Sequence, residues 1–174
     1  MLYKNELDTP VGSMVLVANE QGLCLAEFAD DLSMEIRLQS FEKKTGLTFS
    51  GLSNQINELA KDQLVQYFKK ELTEFNVPLS PYGTAFQKEV WKLLSTIPFG
   101  QTKTYKSQAD QFNSPDAIRA IASANGKNPL AIIIPCHRVL GSDGSLTGYA
   151  GGLWRKKWLL EHEGSLNTGQ VSLF

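Results

Sequence analysis

The sequence predicts an α+β fold: a small N-terminal antiparallel sheet with a helix, then a C-terminal helical domain with a winged-helix-like helix-turn-helix. Two observations predict it. Short runs of strand-forming residues separated by turn-forming clusters fill the first 28 positions, whereas apolar spacings of three and four dominate after residue 53. The prolines and glycine of residues 77–83 interrupt this periodicity. We therefore expect domains at 1–80 and 81–164 and a tail at 165–174.

The N-terminal half is predicted to begin with a three-stranded β-meander. Turn-forming clusters at 8–12 and 19–22 separate the strands, which span residues 2–7, 13–18 and 22–28. Cys24 lies between two leucines of the third strand, so we interpret it as a core residue. A helix at 31–44 and an extended stretch at 45–52 are expected to follow.

An amphipathic helix is predicted over residues 53–72. Its apolar side chains recur at spacings of three and four residues: Ile56, Leu59, Ala60, Leu64, Tyr67, Phe68 and Leu72. Either Ser53 or Asn54 is suited to cap its N-terminus, because both side chains offer an oxygen acceptor. We expect this helix to cover one face of the sheet.

Four shorter helices are predicted in the C-terminal half, at 84–96, 105–112, 115–125 and 153–163. Ser114 fits the N-cap of the third of these helices, Pro115 fits its first position and Gly126 fits its C-cap. The last helix is expected to turn three apolar side chains inward: Trp158, Leu159 and Leu160.

The second and third of these helices, joined by a brief turn in a basic region, indicate a helix-turn-helix. Alanines make the second helix of this motif slim: Ala117, Ala120, Ala122 and Ala124. Small side chains suit close approach to a surface such as DNA, but they equally suit packing against a neighbouring helix. The sequence leaves both interpretations open.

The most informative stretch surrounds Cys136. Four apolar residues, 131–134, predict a short buried strand or extended segment, and Pro135 ends regular pairing just before the thiol. His137 and Arg138 follow, as a candidate base and a fixed positive charge that favour a reactive thiolate. A relay from Cys136 to His137 needs a turn or a bridging water, because adjacent strand residues point to opposite faces. Taken alone, a cysteine beside an apolar run is usually a small buried hydrophobe.

The net charge of −1 conceals an asymmetry between the two halves. Residues 1–80 carry 7 Lys and Arg against 12 Asp and Glu, and residues 81–174 carry 10 against 6. A basic C-terminal half permits a polyanionic partner. The sequence contains no apolar stretch long enough to span a membrane and no secretory signal at its start, so we expect a cytoplasmic protein with reduced thiols. Two scattered cysteines and two histidines offer no structural metal site.

Several separated stretches carry a family resemblance: Pro135-Cys136-His137-Arg138-Val139, Asn128-Pro129 before it, Gly148-Tyr149-Ala150-Gly151-Gly152 after it, His162-Glu163-Gly164, Tyr105 and Arg119. Together they make the chain resemble the O6-alkylguanine-DNA alkyltransferases. The resemblance is strong over 81–164 and rests on length and element order in the N-terminal half, which would look like an RNase H-like α/β domain.

The resemblance implies catalytic roles for four residues. Cys136 would be the nucleophile that accepts the alkyl group, and His137 the base that removes its proton through a water. Glu163 would orient and charge His137, and Asn128 would brace the turn that holds the thiol. The resemblance implies that the reaction needs no cofactor and no metal.

The resemblance also implies how DNA would be bound. The duplex would be approached from the minor groove and the damaged guanine flipped into a pocket, with Arg119 entering the stack in its place. Tyr105 would crowd the target nucleotide and hydrogen-bond the guanine. On the second helix of the motif, Ala120 and Ala122 would lie at the DNA. The pocket would be lined or shaped by Val139, Tyr149 and the backbone of Ala150.

The expected function is therefore direct, single-turnover repair of O6-alkylguanine, and possible substrates include O4-alkylthymine. The expected partner is double-stranded DNA that contains the lesion, bound by a monomer that does not associate with membranes. Ala122 stands where the family commonly has glycine, which puts DNA affinity in question. The chain has no N-terminal cysteine cluster of the kind found in bifunctional regulators, so no transcription-activating role is expected. Two alternatives are a DNA-binding module with a structural Cys136 and a cysteine hydrolase, which would need an oxyanion hole.

Overall fold

The computed structural model of the chain describes residues 1–30 and 33–166. The chain forms two compact units, one spanning Met1–Tyr82 and one beginning at Gly83. The first unit contains an antiparallel sheet of order β1-β2-β3, formed by Tyr3–Thr9, Gly12–Ala18 and Leu23–Phe28. The predicted α+β class and β-meander are confirmed.

Side chains in the two turns of the meander explain its tight connections. Between β1 and β2, the Thr9 hydroxyl donates to the Gly12 carbonyl at 2.6 Å and accepts from the Val11 N–H at 3.1 Å. Between β2 and β3, the Asn19 side-chain oxygen accepts from the N–H groups of Gln21 at 2.8 Å and Gly22 at 3.0 Å. Threonine and asparagine thus replace backbone partners within the turns.

Helix α1, Ser33–Thr45, packs Met34 against the sheet residues Val15 and Val17 in one hydrophobic core. Because β2 is buried from Met14 to Ala18, both faces of the sheet are covered. The predicted helix at 31–44 is confirmed from residue 33; residues 31 and 32 lie outside the described ranges. The predicted extended stretch at 45–52 forms a parallel bridge from Phe49 to Leu2, and its Leu52 carbonyl accepts from the Lys4 N–H at 3.2 Å.

Helix α2, Gln55–Phe68, packs against all three strands, as predicted. Asn54, and not Ser53, caps it: its side chain accepts from the Asn57 N–H at 3.0 Å while the Asn57 side chain accepts from the Asn54 N–H at 2.9 Å. The helix ends before the predicted residue 72, because Lys70 adopts a left-handed conformation at φ 60°.

Cys24 is fully buried in β3, as predicted. Burial raises the pKa of its thiol to about 11, against weaker lowering by hydrogen bonds to Asn19 and Ser80. This cysteine is therefore a protonated core residue at physiological pH.

The second unit is mainly helical. Its elements are α3 Ala85–Leu94, β4 Lys103–Thr104, α4 Tyr105–Gln111, a 3-10 turn Pro115–Ala117, α5 Ile118–Gly126, a 3-10 turn Cys136–Arg138, β5 Val139–Leu140 and α6 Leu153–His162. Strands β4 and β5 form a two-residue parallel ladder. Among the described residues, no helix is long and apolar enough to cross a membrane.

Helices α4 and α5 form the predicted helix-turn-helix, and α5 also packs against α3. Its core contains Val90, Ala109, Ile121 and Ala124, and the indole N–H of Trp91 donates to the Ala124 carbonyl at 2.9 Å. Ala124 therefore packs inside the motif, whereas Ala120 is exposed. The packing interpretation therefore holds for Ala124.

Of the two predicted caps of the helix over 115–125, Ser114 occupies the N-cap position of the 3-10 turn that begins at residue 115, whereas the predicted C-cap at Gly126 is wrong by one residue. The Ser114 side chain makes no capping hydrogen bond; its carbonyl accepts from the Ala117 N–H at 2.9 Å, which closes a 3-10 turn before α5. Gly126 is the last helical residue, and Lys127 ends the helix with its N–H bonded to the Ser123 and Ala124 carbonyls at 3.2 Å.

Helix α6 buries Leu159 and Leu160 completely, as predicted. Trp158 is only partly buried, because its ring stacks on His162 at 4.9 Å between centroids and so lies along the helix surface. The helix ends one residue earlier than predicted, and Glu163 occupies its C-cap. Of the predicted tail at 165–174, only the first two residues lie within the described part of the chain.

Candidate active site

The apolar stretch before Cys136 folds as a turn, so the predicted strand at 131–134 is wrong. The Ile133 N–H donates to the Ala131 carbonyl at 2.9 Å, forming a γ-turn around Ile132. Ile132 is fully buried and has a φ of 72°, which a β-branched residue rarely adopts. Local backbone bonds thus replace strand pairing, and the strained residue lies four positions before the thiol.

A second γ-turn follows at once and presents the thiol. The Cys136 N–H donates to the Ile134 carbonyl at 2.8 Å around Pro135, whose φ of −83° and ψ of 61° match an inverse γ-turn. The turn required for a relay between adjacent residues is therefore present, since Cys136 and His137 lie in a 3-10 turn and not in a strand.

Asn128 braces this double turn. Its side-chain N–H donates to the Ile134 carbonyl at 2.8 Å and to the Cys136 Sγ at 3.3 Å, and its side-chain oxygen accepts from the Leu130 N–H at 3.0 Å. One amide therefore spans the segment from residue 130 to the thiol. It also supplies a donor that stabilises a thiolate more than a thiol.

His137 and Glu163 form a fully buried pair. His137 Nε2 lies 2.7 Å from Glu163 Oε1. Burial lowers the pKa of His137, and the neighbouring carboxylate offsets only part of this effect. A neutral imidazole beside an ionised carboxylate donates from Nε2, which leaves a lone pair on Nδ1. That Nδ1 is buried and has no hydrogen-bond partner among the described residues.

The Arg138 side chain hydrogen-bonds Glu163 and the Ile97 carbonyl, and not the thiol. Its Nε donates to Glu163 Oε2 at 2.8 Å, its Nη2 to Oε1 at 3.0 Å, and its Nη1 to the Ile97 carbonyl at 2.6 Å. Burial raises the pKa of Glu163, but hydrogen bonds and charges from His137 and Arg138 outweigh it and bring the pKa to about 2. The carboxylate is therefore ionised throughout the physiological range.

Lys156 is a site residue that the sequence reasoning missed. It is fully buried, and its Nζ donates to the carbonyls of Val139 at 2.6 Å and Thr147 at 2.8 Å. Burial lowers its pKa to about 8, against a raising effect of Cys136. A signal was available, because Lys156 shares a helical face with Leu159 and Leu160. The position of Arg138 next to His137 is evident from the sequence, but its pairing with Glu163 has no sequence signal, since 24 residues separate them.

Opposing effects act on the pKa of the Cys136 thiol. Burial raises the pKa of its thiol, and the Asn128 hydrogen bond and the Lys156 charge lower it. The thiol is therefore a poor nucleophile until its proton is removed, and two neighbouring groups stabilise the anion that results.

Two tyrosines lie near this cluster. Tyr105, the first residue of α4, donates its hydroxyl to the carbonyls of Thr147 at 3.2 Å and Gly148 at 3.4 Å. Tyr149 packs edge-on against His137 at 6.5 Å between ring centroids, and its buried hydroxyl has no partner among the described residues. Burial raises the pKa of Tyr105 to about 12 and that of Tyr149 well above its ordinary value, so both are neutral.

The remaining candidate residues lie at differing depths. Val139 is fully buried and its carbonyl binds Lys156, whereas Ala150 is exposed in the following loop. On α5, Arg119 and Ala120 are exposed and Ala122 is partly buried. Arg119 and Ala122 are three positions apart and share a helix face, whereas Ala120 is turned by about 100°.

The structure thus brings Cys136, His137, Glu163 and Asn128 into one cluster with Arg138 and Lys156. In residues 1–30 and 33–166, no group of three or more His, Cys, Asp or Glu side chains is arranged to hold a metal ion.

Comparison with known proteins gives a consistent result over the whole chain. Profiles of the 6-O-methylguanine DNA methyltransferase DNA binding domain and ribonuclease-like domain match residues 85–165 and 2–81. A methylated-DNA--protein-cysteine methyltransferase of Mycobacterium tuberculosis is 43% identical and covers 100% of this chain and 99% of the relative. A methylated-DNA--protein-cysteine methyltransferase of Shigella flexneri is 40% identical, and the match covers 95% of this chain and 97% of the relative.

Solved structures agree. The crystal structure of M. tuberculosis O6-methylguanine methyltransferase superposes with a TM-score of 0.80 at 42% identity, covering 98% of this chain and 97% of that chain. A structure of the M. tuberculosis protein in complex with DNA gives a TM-score of 0.79 at 43% identity, covering 94% and 93%. The resemblance inferred from the motifs around Cys136 is confirmed. This chain belongs to the 6-O-methylguanine DNA methyltransferase family.

Proposed function

We propose that the protein repairs DNA by transferring the alkyl group of O6-alkylguanine irreversibly to Cys136. The observation that carries this proposal is the thiol's position beside Asn128 and Lys156 and next in the chain to the buried His137–Glu163 pair. A bond forms between Sγ and the alkyl carbon, and the bond between that carbon and guanine O6 breaks. Guanine leaves with the electron pair and takes up a proton. Because the thioether persists, each molecule reacts once.

His137 acts as the base that generates the thiolate. It is neutral and directs Nε2–H to Glu163, so Nδ1 is the atom available to take a proton. The burial of Nδ1 without a protein partner in the described residues supports a relay through a bridging water. Glu163 orients the ring and stabilises the imidazolium that forms, as in other nucleophile–base–acid arrangements.

Asn128 and Lys156 stabilise the thiolate from two sides. Asn128 does so by a direct donor, and Lys156 by its charge. Lys156 also links the carbonyls of Val139 and Thr147, so it holds the strand after the nucleophile against the loop that contains Tyr149. The chemistry and the shape of the site thus depend on the same lysine.

DNA is bound by the helix-turn-helix, and the target base is flipped out of the duplex. Arg119 is exposed on α5 and fits the role of the side chain that fills the vacated place in the stack. Ala122 shares the face of Arg119 and would allow α5 to approach the minor groove, whereas Ala120, about 100° further round the helix, would lie beside that face. Tyr105 is anchored to the loop at 147–148 and is suited to contact the flipped nucleotide there.

The alkyl pocket is formed by Tyr149, Val139 and the backbone of Ala150. Tyr149 would give it an apolar wall next to His137. Val139 is too deeply buried to line an open surface, so it shapes the pocket from behind.

The domain roles follow from this placement. Residues 81–164 carry the chemistry and the DNA-binding motif, and residues 1–80 form a ribonuclease-like domain. The protein would act as a monomer in the cytoplasm, where Cys24 and Cys136, both free thiols, stay reduced.

The decisive experiment counts repaired lesions per protein molecule, using a duplex with one O6-methylguanine. We expect a plateau at one lesion per molecule, no repair by Cys136→Ala and full capacity for Cys24→Ala, the matched control. Continued turnover would contradict the proposal and indicate a hydrolase. Intact DNA binding without repair by the unmodified protein would instead indicate a lesion-binding module.

A further inference from the structure

Arg138 follows the nucleophile and base directly, and its charge could serve either the thiol or the base. The structure places all three of its side-chain nitrogens elsewhere: Nε and Nη2 contact the two oxygens of Glu163, and Nη1 donates to the Ile97 carbonyl. Arg138 is only 5% exposed, so these bonds form with little competition from water. Parallel bonds from guanidinium to carboxylate fix the orientation of both groups.

We propose that Arg138 is a positioning residue that locks Glu163 in the orientation in which it holds His137. This inference rests on the proposed role of His137 as the base. His137 Nε2 and Arg138 Nη2 share the same oxygen, Oε1, at 2.7 and 3.0 Å. With Arg138 in place, Glu163 cannot rotate away from the imidazole without losing two charged hydrogen bonds. Nε2–H therefore stays on the carboxylate and the Nδ1 lone pair stays available.

The same arginine ties three segments together. Ile97 lies just after α3, Arg138 lies in the turn that presents the thiol, and Glu163 caps α6. A Cβ added at Gly100 would lie 3.1 Å from the Glu163 carbonyl, so the segment after Ile97 also packs on the end of α6. The position of Glu163 is thus fixed both through its side chain and through its backbone.

Charged and titratable groups face His137 from each neighbouring element. Glu163 comes from the end of α6 and raises the pKa of His137, whereas Lys156 in the first turns of α6 and Arg138 lower it. Cys136 precedes it in the same turn, and the neutral Tyr149 packs edge-on from the loop. Removal of the Arg138 charge should raise the pKa of His137, and removal of the Glu163 charge should lower it.

Single-turnover kinetics separate a positioning role from a merely structural one. The amplitude of methyl transfer counts molecules that are folded and competent, and the rate constant reports on the site in those molecules. For Arg138→Gln we expect the acid limb of the pH–rate profile to move upward by about one pH unit. For Glu163→Gln the limb should move downward. Arg138→Lys keeps the positive charge but loses the paired guanidinium bonds to the Glu163 carboxylate. The acid limb of its pH–rate profile should therefore stay in place while the rate constant falls by about tenfold.

Arg155→Gln is the matched control, because Arg155 is also a buried arginine and its Nη1 donates to the Gly151 carbonyl at 2.9 Å. Its acid limb should stay in place. Reduced amplitude in Arg138→Gln with an unshifted limb and an unchanged rate constant would overturn the positioning role and leave a structural one. Absence of methyl transfer by the unmodified protein would instead defeat the proposed function itself.

If neither Arg138 variant yields folded protein, nuclear magnetic resonance of the unmodified protein decides the question. With both Arg138 hydrogen bonds to Glu163 intact, the carboxyl carbon signal of Glu163 should remain that of an ionised carboxylate from pH 7 to pH 4. A Glu163 signal that titrates near the ordinary value for glutamate would overturn the proposal.

Discussion

At the scale of single residues, the site combines burial with a small number of compensating contacts. Burial alone would leave Cys136 as an inert thiol, as it does Cys24. The difference lies in the neighbours: Cys136 has the Asn128 donor and the Lys156 charge, whereas Cys24 lies in the sheet core. Reactivity is thus a property of the surroundings and not of the residue type.

Replacement of Asn128 by alanine tests the brace of the double turn. Alanine removes the bonds to Ile134, Leu130 and the thiol, so we expect the rate of methyl transfer to fall by about tenfold or more. Asn128→Asp keeps an acceptor for the Leu130 N–H but loses both donors and places a negative charge beside the thiol, so its rate should fall further. Single-turnover rates measure both effects. An Asp variant as fast as the unmodified protein would contradict this role.

Replacement of Lys156 by methionine tests the buried charge through the pH dependence of stability. The folded pKa of about 8 lies below the ordinary 10.5, so between these values the unfolded chain binds more protons at this residue. The stability contributed by Lys156 should therefore rise with pH across that window. We expect the free energy of unfolding of the unmodified protein, relative to Lys156→Met, to increase from pH 8 to pH 10.5 in urea titrations. A constant difference would indicate an unperturbed lysine.

At the scale of elements, helix α5 divides its small side chains between two tasks. Ala124 packs in the core of the helix-turn-helix, and Ala122 shares the outward face of Arg119. Because Ala122 lies on this face, its methyl group should hold the helix slightly away from the groove.

Ala122→Gly should therefore bind a duplex a few-fold more tightly, despite a loss of about 1 kcal/mol in helix stability. Ala120→Gly is the matched control, because it carries the same helix penalty at a position turned away from Arg119. Fluorescence anisotropy at fixed salt measures both affinities, and equal effects of the two substitutions would contradict the assigned face.

Elements with regular periodicity could be predicted from the sequence, and the turns could not. The strands of the meander and helices α2, α3 and α6 were located to within a few residues, since burial imposes periods of two or 3.6. The segment at 131–134 is the clearest exception, because its β-branched residues favour a strand while the Asn128 side chain holds the segment in a γ-turn. Side chains that act at a distance in sequence, such as Arg138 on Glu163, leave no periodic signal.

At the scale of the whole molecule, the acidic and basic halves correspond to different tasks. The first 80 residues carry an excess of acidic side chains, and the remainder carries the basic excess together with the site and the helix-turn-helix. A polyanion is attracted to the part that reacts with it, and the affinity should fall as salt rises. The composition therefore permits a polyanionic partner without identifying it, and only the motifs around Cys136 indicate the partner and the reaction.

The most direct test of the central claim is peptide mass spectrometry after reaction with a duplex that contains isotopically labelled O6-methylguanine. We expect one labelled methyl group per molecule, on the peptide that contains Cys136, and none on the peptide that contains Cys24. Label on another residue, or unlabelled protein after the lesion has been repaired, would contradict the claim that Cys136 is the acceptor.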